Sequence, residues 1–310
     1  MKNIFVSSAV ALAVTAGMSA PVLAETSITG SVRIGGLFQG PDGGDDDLSI
    51  NSFGSRFIMS TSEDIGSGLT GIGRIEVGAN ANTTQGDRAL GGFDRTRQLW
   101  GGLSGGFGTV KIGAQYAAFY DTITSKGDIA WWGSCFVEFE CSRVPAVLKY
   151  SGSAAGFSYA ASIEANSGDE DNDDFDNVEL GLGYSFAGVN FGAGLSILAD
   201  DGVLFGLAAS GNFAGAGLSA VLQIADEDFA GDPDDVTVLT LTGTYAGFYA
   251  LFTTLDDSGP GSNNFTLGYT WNIADATLMY FELQQLDQSG DDTTIARATL
   301  KRDFKVLGGG

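Results

Sequence analysis

The feature that most constrains the fold is a series of alternating segments in which basic residues interrupt otherwise apolar runs. Between Ser55 and Gln115 the chain reads SRFIMSTSEDIGSGLTGIGRIE, then a polar stretch, then DRTRQLWGGLSGGFGTVKIGAQ. Apolar side chains recur at every second residue, which is the period of a β-strand, and Arg56, Arg74 and Lys111 fall on the other face. An Arg or Lys facing lipid at the bilayer midplane costs about 2–4 kcal/mol, so these residues must face water. The pattern therefore predicts a transmembrane β-barrel with a wet lumen rather than a soluble sheet.

The N-terminus has the pattern of an export signal. Lys2 is followed by an apolar run from Ile4 to Ala20, and small residues precede Glu25. This order predicts a signal peptide over residues 1–24, cleaved after Ala24. An N-terminal membrane anchor is the alternative, but the run is short and ends in a cleavage-like VLA.

The rest of the chain predicts an all-β fold of sixteen strands. Each segment is about ten residues long, which is what a tilted strand needs to cross a bilayer. An even number of strands places both ends on one side of an antiparallel, up-and-down barrel. We assign this barrel to residues 25–304, ending at Phe304, and a short tail to 305–310. The strands are predicted at 26–38, 52–62, 69–79, 95–104, 109–116, 144–152, 157–166, 177–187, 189–199, 202–212, 216–225, 236–245, 247–256, 262–272, 276–286 and 293–304.

The connections alternate between short, Gly-rich turns and longer, acidic loops. The acidic loops begin at Pro41, Ser167, Asp226, Asp256 and Asp287. Alternate connections of such a barrel emerge at opposite ends, so one rim is expected to be acidic. The formal net charge of −23 also argues against nucleic acid as a partner.

The acidic loops raise the question of a metal site. Asp169, Asp171 and Asp173 have the spacing of a calcium loop, but Asp174 stands where that loop requires glycine. We therefore expect no specific metal site, only solvated outer loops that can recruit divalent cations near lipid phosphates.

The first half of the chain resembles the general porins of Gram-negative outer membranes. The resemblance rests on SRFIMSTSEDIGSGLTG, TRQLWGGLSGGFGTVKIG, the pair at Tyr120 and Asp121, and SRVPAVLKYSG. It implies a sixteen-stranded homotrimeric channel for passive diffusion of ions and small hydrophilic solutes. It also implies contact with outer-membrane lipid, lipopolysaccharide and the outer-membrane assembly machinery. Members of the family end on an aromatic residue, whereas KVLGGG follows Phe304 here.

The resemblance also implies a constriction formed by the third long loop, which would fold into the lumen over residues 117–143. By motif position, the wall arginines are Arg56, Arg97 and Arg143, and Arg33, Arg74, Arg95 and Lys111 could extend them. The loop acids that would face them are Asp121, Asp128, Glu138 and Glu140, with Asp128 and Glu138 as the favoured pair. Opposed rows of fixed charge across a wet gap favour polar solutes and set ion preference.

The strand faces assign Arg97 to the same side as Arg95 and Leu99, with Trp100 opposite. This assignment assumes that side chains alternate without interruption along the strand.

The same loop carries two cysteines and several aromatic residues. An isolated cysteine pair outside the cytoplasm favours a disulfide between Cys135 and Cys141, with free thiols as the alternative. The aromatic residues are Trp131, Trp132, Phe136 and Phe139. They would either pack the loop against the wall or form a sliding surface for a particular solute.

The composition gives little support for catalysis. The chain contains no histidine, so Ser–His triads and imidazole metal sites are absent. We expect no enzyme activity and no cofactor. The functional alternatives are a substrate-biased porin and, behind it, a non-conducting surface or adhesive barrel.

Overall fold

The described residues of the computed structural model form one antiparallel sheet that closes on itself. They comprise 25–41, 45–79, 93–131, 134–135, 138–165, 175–259, 261–288 and 291–307. The strands are β1 (Glu25–Pro41), β2 (Asp47–Ser52), β3 (Ser55–Gly66), β4 (Leu69–Ala79), β5 (Phe93–Gly105), β6 (Gly108–Gln115), β7 (Val144–Ala154), β8 (Phe157–Ala165), β9 (Phe175–Phe186), β10 (Val189–Leu198), β11 (Val203–Phe213), β12 (Ala216–Ala225), β13 (Val236–Tyr245), β14 (Phe248–Asp256), β15 (Ser262–Ala274), β16 (Thr277–Gln288) and β17 (Asp291–Leu307). Helix α1 (Ala118–Thr122), a 3₁₀ turn (Thr124–Lys126) and helix α2 (Glu227–Ala230) complete the described elements.

The barrel has sixteen spanning strands, because β2 and β3 are two parts of one strand. Both pair with β1, from Gln39 opposite Asp47 to Glu25 opposite Ser62. Gly54 interrupts them with a φ of 76°. The pairing of β17 with β1 closes the ring. The predicted all-β, sixteen-stranded barrel is confirmed, and most strand bounds lie within three residues of those predicted.

The predicted tail after Phe304 is partly wrong. β17 continues to Leu307, with Lys305 opposite Thr29 and Val306 opposite Ile28. The strand continues because β1 begins at Glu25 and still offers backbone partners beyond Phe304. Residues 308–310 and the predicted signal peptide at 1–24 lie outside the described residues.

The two faces of the barrel differ in polarity as a membrane barrel requires. On β9, Leu180 and Leu182 are about half exposed on the outside, whereas Glu179 is buried inside. At the short-turn end, aromatic rings pair on the outer surface, including Phe157 with Tyr184 at a centroid distance of 4.6 Å. Such an apolar band with aromatic rings at its edge is typical of bilayer-spanning barrels. Within the described residues, no helix combines the length and apolar character needed to cross a membrane.

A β-bulge in β5 corrects the predicted faces around Arg97. Glu76 pairs with Gln98 and Val77 pairs with Thr96, so Arg97 is the extra residue. Because a bulge resets the alternation, Trp100 points into the lumen, where its indole donates to Gln98. Leu99 is half exposed on the outer face, opposite to the prediction.

Five of the short connections use the same two-residue turn. Both central residues have positive φ in Ser67-Gly68, Ala155-Gly156, Ala187-Gly188, Ala214-Gly215 and Ala246-Gly247. This is the geometry of a type I′ hairpin turn, whose twist matches that of the flanking strands and favours glycine. The turns account for part of the high glycine content.

At Gly188, the contribution of the left-handed backbone to the free energy of unfolding can be measured on its own. The φ of this glycine is 82°, and a Cβ added there would meet nothing within 4 Å. We expect Gly188→Ala to lower the free energy of unfolding by about 1 kcal/mol, because only the left-handed backbone is penalised. Urea titration of barrel refolded into lipid vesicles measures this. Gly106→Ala is the control, since that site is equally open and has no positive φ; equal midpoints for the two variants would contradict the explanation.

Candidate functional site: the lumen and its inserted loop

A strip of basic residues lines the lumen along the first part of the barrel. We call it the basic strip; it comprises Arg33, Arg56, Arg74, Arg95, Arg97, Lys111, Arg143 and Lys149. Ser31, Arg56, Gly78 and Arg95 share one cross-strand row. Arg56 lies within electrostatic range of Arg33, Arg97 and Arg143. The structure thus brings the predicted basic residues to one side of the lumen and adds Lys149, which sequence reasoning missed.

A single wall carboxylate, Glu76, organises the centre of the basic strip. Its oxygens lie 3.3 Å from Nη1 of Arg56, 2.7 Å from Nη2 of Arg74 and 2.9 Å from Nε of Arg97. The Glu76 side chain is only 1% exposed, whereas the three arginines are 11–28% exposed. Glu76 therefore offsets the repulsion among the arginines while their outer edges still face the lumen. Sequence alternation placed Glu76 beside Arg74, but the contacts with Arg56 and Arg97 depend on the register between strands.

Aromatic rings connect the basic strip to the loop. The guanidinium of Arg143 lies 4.3 Å from the ring centre of Tyr116, a favourable cation–π contact. Tyr116 stacks on Tyr120 at 3.7 Å, and the Tyr120 hydroxyl donates to Asp128 at 2.6 Å. Burial and the adjacent Asp128 carboxylate raise the pKa of Tyr120. This stack orients Asp128 on the outgoing arm of the loop, by which we mean residues 117–131.

The predicted loop at 117–143 does fold into the lumen. Within its outgoing arm, α1 packs along β9 and β10, and the 3₁₀ turn packs along β11 and β12. Trp131 then stacks on Tyr280 of β16 at 4.9 Å. The ring centre of Trp131 also lies 5.1 Å from Arg33 and 5.2 Å from Lys301. The loop therefore extends inside the barrel from β6 to the β17–β1 closure.

Lumen-facing glycines make room for the outgoing arm. Phe119 and Ile123 are fully buried against Leu204 and Val221 of the wall. A Cβ at Gly206 would lie 2.5 Å from Cζ of Phe119. Gly181, Gly192 and Gly194 face the same arm at comparably short distances. The wall accommodates the arm at these positions only because glycine has no side chain. We call this recess the glycine hollow.

The loop acids divide into two groups, and only part of the prediction agrees with their contacts. Asp121 accepts a hydrogen bond from Lys149 at 2.6 Å, and Asp128 bonds to Tyr120 as described above.

Glu138 and Glu140, on the return arm of the loop (residues 138–143), instead bond to wall residues outside the basic strip, away from the arginines that they were expected to face. Glu138 accepts from Thr240 of β13 and Thr253 of β14. Glu140 accepts from Asn177 of β9 and Ser196 of β10. In the ring order, β13 and β14 lie across the barrel from the strands that carry the arginines, whereas β9 lies two strands from β7, which carries Lys149. The physical reason is that hydroxyl and amide donors on that wall satisfy carboxylates that the return arm buries.

The remaining loop features favour packing over a free surface. Cys135 and Cys141 form a disulfide. Phe139 meets Phe229 edge-on at 5.8 Å, and Trp131 is stacked as described above. Trp132 and Phe136 lie outside the described residues.

No group of three or more His, Cys, Asp or Glu side chains in the described ranges is placed to hold a metal ion. Asp169, Asp171 and Asp173 lie outside those ranges, so the expectation of cation recruitment by this loop stays a prediction.

The sequence profile of a family described as Gram-negative porin matches residues 8–291. The chain belongs to this family. The barrel with its inserted loop agrees with that assignment, and the function that follows is an outer-membrane porin channel for passive diffusion. No curated protein matches the chain.

Solved porin structures share the fold at low sequence identity. An anion-selective porin from Comamonas acidovorans superposes with a TM-score of 0.74 and 19% identity, covering 91% of this porin and 100% of that chain. OmpF of Salmonella typhi in complex with daunomycin gives 0.71 and 16%, covering 91% and 97%. The trimer form of in-vitro folded OmpT of Vibrio cholerae gives 0.68 and 14%, covering 91% and 99%.

Neutralising Glu76 tests its role in the basic strip. We expect Glu76→Gln to shift the ion selectivity of the porin toward anions, because the variant removes the negative charge that offsets three arginines. The unfolding free energy should fall by about 1–3 kcal/mol, since buried donors lose a charged acceptor. Reversal potentials across a salt gradient and urea titration measure the two effects. Glu63→Gln, at an exposed position of β3, is the control, and the same reversal potential for both variants would refute the role.

Filling the glycine hollow tests the docking of the loop. We expect Gly206→Val to displace Phe119 and lower the unfolding free energy by about 1–3 kcal/mol, as overpacking does. Open-channel current noise in planar bilayers should rise because the loop is held less firmly. Gly101→Val is the matched control, since a Cβ there meets nothing within 4 Å; a quiet Gly206→Val channel of normal stability would count against the hollow.

Proposed function

We propose that this porin is a non-enzymatic channel for small hydrophilic solutes whose constriction favours anions. The observation that carries the proposal is the basic strip, in which one buried carboxylate, Glu76, is shared by Arg56, Arg74 and Arg97. These four side chains leave two positive charges. Arg33, Arg143 and Lys111 add further positive charge to the same side of the lumen.

The local charge, rather than the charge of the whole chain, sets the preference. Screening reduces interactions between exposed charges beyond about 8 Å at physiological salt. The acidic outer loops therefore act at the mouth, whereas an ion in the constriction experiences the basic strip. On the loop, Asp121 is already paired with Lys149. The porin from Comamonas acidovorans that shares this fold is anion-selective, which supports the proposal by analogy of fold alone.

Export and assembly follow from the same membership. We infer cleavage of residues 1–24, insertion by the outer-membrane assembly machinery, and contact with lipid and lipopolysaccharide. A homotrimer is supported by the trimer form recorded for OmpT of Vibrio cholerae. Divalent cations at the acidic outer loops would bridge to lipid phosphates. No cofactor is invoked.

The two alternatives have less support. A substrate-biased channel would use the loop aromatics as a sliding surface, but Trp131 and Phe139 are engaged in packing. A non-conducting adhesive barrel is not favoured by membership in the porin family.

Removing two arginines tests the ion preference. We expect the double variant Arg56→Gln and Arg97→Gln to lower the anion-to-cation permeability ratio at least about fivefold. The reason is that one charge at about 4 Å in water contributes about 1 kcal/mol. Reversal potentials in planar bilayers under a potassium chloride gradient measure the ratio. Arg302→Gln is the control, because Arg302 is exposed and bonds to Thr277.

Two results would contradict the proposal. An unchanged reversal potential in the double variant would refute the role of the arginines. A folded wild-type protein without conductance would refute the channel itself.

A further inference from the structure

Two carboxyl groups, one buried and one partly buried, meet where the inserted loop packs on β9. Glu140 of the return arm lies beside Glu179 of β9, because Ser196, which donates to Glu140, is the direct cross-strand partner of Glu179. Oε1 of Glu140 also accepts from Asn177 at 3.1 Å and from Ser196 at 3.4 Å. Glu179 is only 2% exposed. Two carboxylates can hydrogen-bond to each other only when one of them carries a proton.

The pair joins both arms of the loop to one strand. Oε2 of Glu179 accepts from the backbone N–H of Phe119 at 2.6 Å and from Ser162 at 3.4 Å. Phe119 belongs to the outgoing arm and Glu140 to the return arm. Glu179 is therefore the point on the wall at which the two arms meet.

The charged surroundings oppose a second negative charge at this point. Glu164 of β8 lies within electrostatic range of Glu140 and of Asp176 at the start of β9. The nearest cation in the same cross-strand row is Lys149, opposite Ser162, which is opposite Glu179; Lys111 of β6 lies one strand further along the row. The Lys149 ammonium already bonds to Asp121 and to the carbonyl of Tyr116. Neighbouring acids thus add repulsion, and Lys149 is occupied.

We propose that Glu140 and Glu179 share one proton, and that loss of this proton releases the inserted loop from β9 and loosens the constriction. Both are positioning residues for the channel, and neither belongs to the basic strip. With both groups ionised, the Glu140 carboxylate of the return arm lies against the buried Glu179 carboxylate and is repelled by it. The shared-proton hydrogen bond between them is then lost.

The sign of the pH dependence follows from the protonation of the docked loop. Burial raises the pKa of Glu140 above the ordinary glutamate range, so the docked loop binds a proton that a released loop gives up near neutral pH. Docking is therefore complete at acidic pH and weakens as the pH rises. For one linked proton the docking equilibrium falls by up to about tenfold for each pH unit between the pKa of the released carboxyl group and that of the docked one, and it is constant above the latter. Buried glutamates are known to titrate as high as about pH 8–9, so the range from about pH 5 to about pH 10 covers the transition.

The direct test is amide hydrogen exchange of the segment that contains Phe119, followed by mass spectrometry on the full-length porin in detergent micelles. The double variant Glu140→Gln and Glu179→Gln is the matched control. A glutamine at 179 can still accept from Phe119 and donate to residue 140, but it cannot ionise. Comparison at each pH removes the intrinsic pH dependence of exchange. We expect wild type to lose protection relative to the variant by up to about tenfold per pH unit between the released and the docked pKa, with no further loss above that interval.

Equal protection in both proteins over the whole range would overturn the inference. Heat-modifiable mobility on gels shows whether the variant is folded. If it is not, the single variant Glu140→Gln takes its place, since that glutamine can donate to Glu179.

Channel current gives a second readout, which rests on the proposed function. Wild-type current noise should rise with pH, and that of the glutamine variant should stay constant. A conducting wild type with noise independent of pH would overturn this inference and leave the proposed function intact. A wild type that does not conduct would refute the proposed function, and hydrogen exchange would still decide the role of the carboxyl pair.

Discussion

Lipid on one side of each strand and water on the other is the constraint from which the rest of this structure follows. It forces apolar residues such as Leu180 outward and allows Glu179, one residue away, to face inward. It also requires every backbone group in the bilayer to be paired within the protein. Pairing of β17 with β1 meets that requirement, and β17 extends for as long as β1 provides backbone partners. The type I′ turns then join neighbouring strands with the twist that closure needs.

The wet interior creates a second problem, which the inserted loop solves. The lumen walls of β11 and β12 carry apolar residues, including Leu204 and Val221, that would otherwise face water. The outgoing arm covers them with Phe119 and Ile123, and burial of each such side chain contributes about 1.5–3 kcal/mol. Glu138 then binds β13 and β14, and Glu140 binds β9 and β10. The loop is thus held mainly by β9 to β14, while Asp121 and Trp131 contact Lys149 and Arg33 of the basic strip.

The sequence predicts those parts of the structure that depend on local periodicity. Strand number and bounds follow from the two-residue period and from glycine turns, so Leu69–Ala79 and Val236–Tyr245 lie where predicted. The side of Leu99 was wrong because one bulge at Arg97 resets the alternation, and residue spacing does not reveal a bulge. Contacts across the ring could not be predicted for a different reason. Glu76 meets Arg56 only through strand register, and the loop acids reach their partners on the wall only through the path of the loop. Lys149 carried no distinguishing signal in the sequence, because its role depends on the position of its partner on the loop.

Repulsion between like charges in the lumen is offset in two ways. One acts in the basic strip and bears on ion selectivity, and the other acts at the loop anchor and bears on the position of the loop. In the basic strip, a permanent charge on Glu76 offsets three arginines, and arginines stay protonated at any physiological pH. At the loop anchor, no described cation pairs with Glu179, so a proton must take the place of the counter-charge. Permanent charges give the constriction a preference that pH does not change. A shared proton gives the loop an anchor whose strength depends on pH, so the width of the gap can vary while its sign of charge is retained.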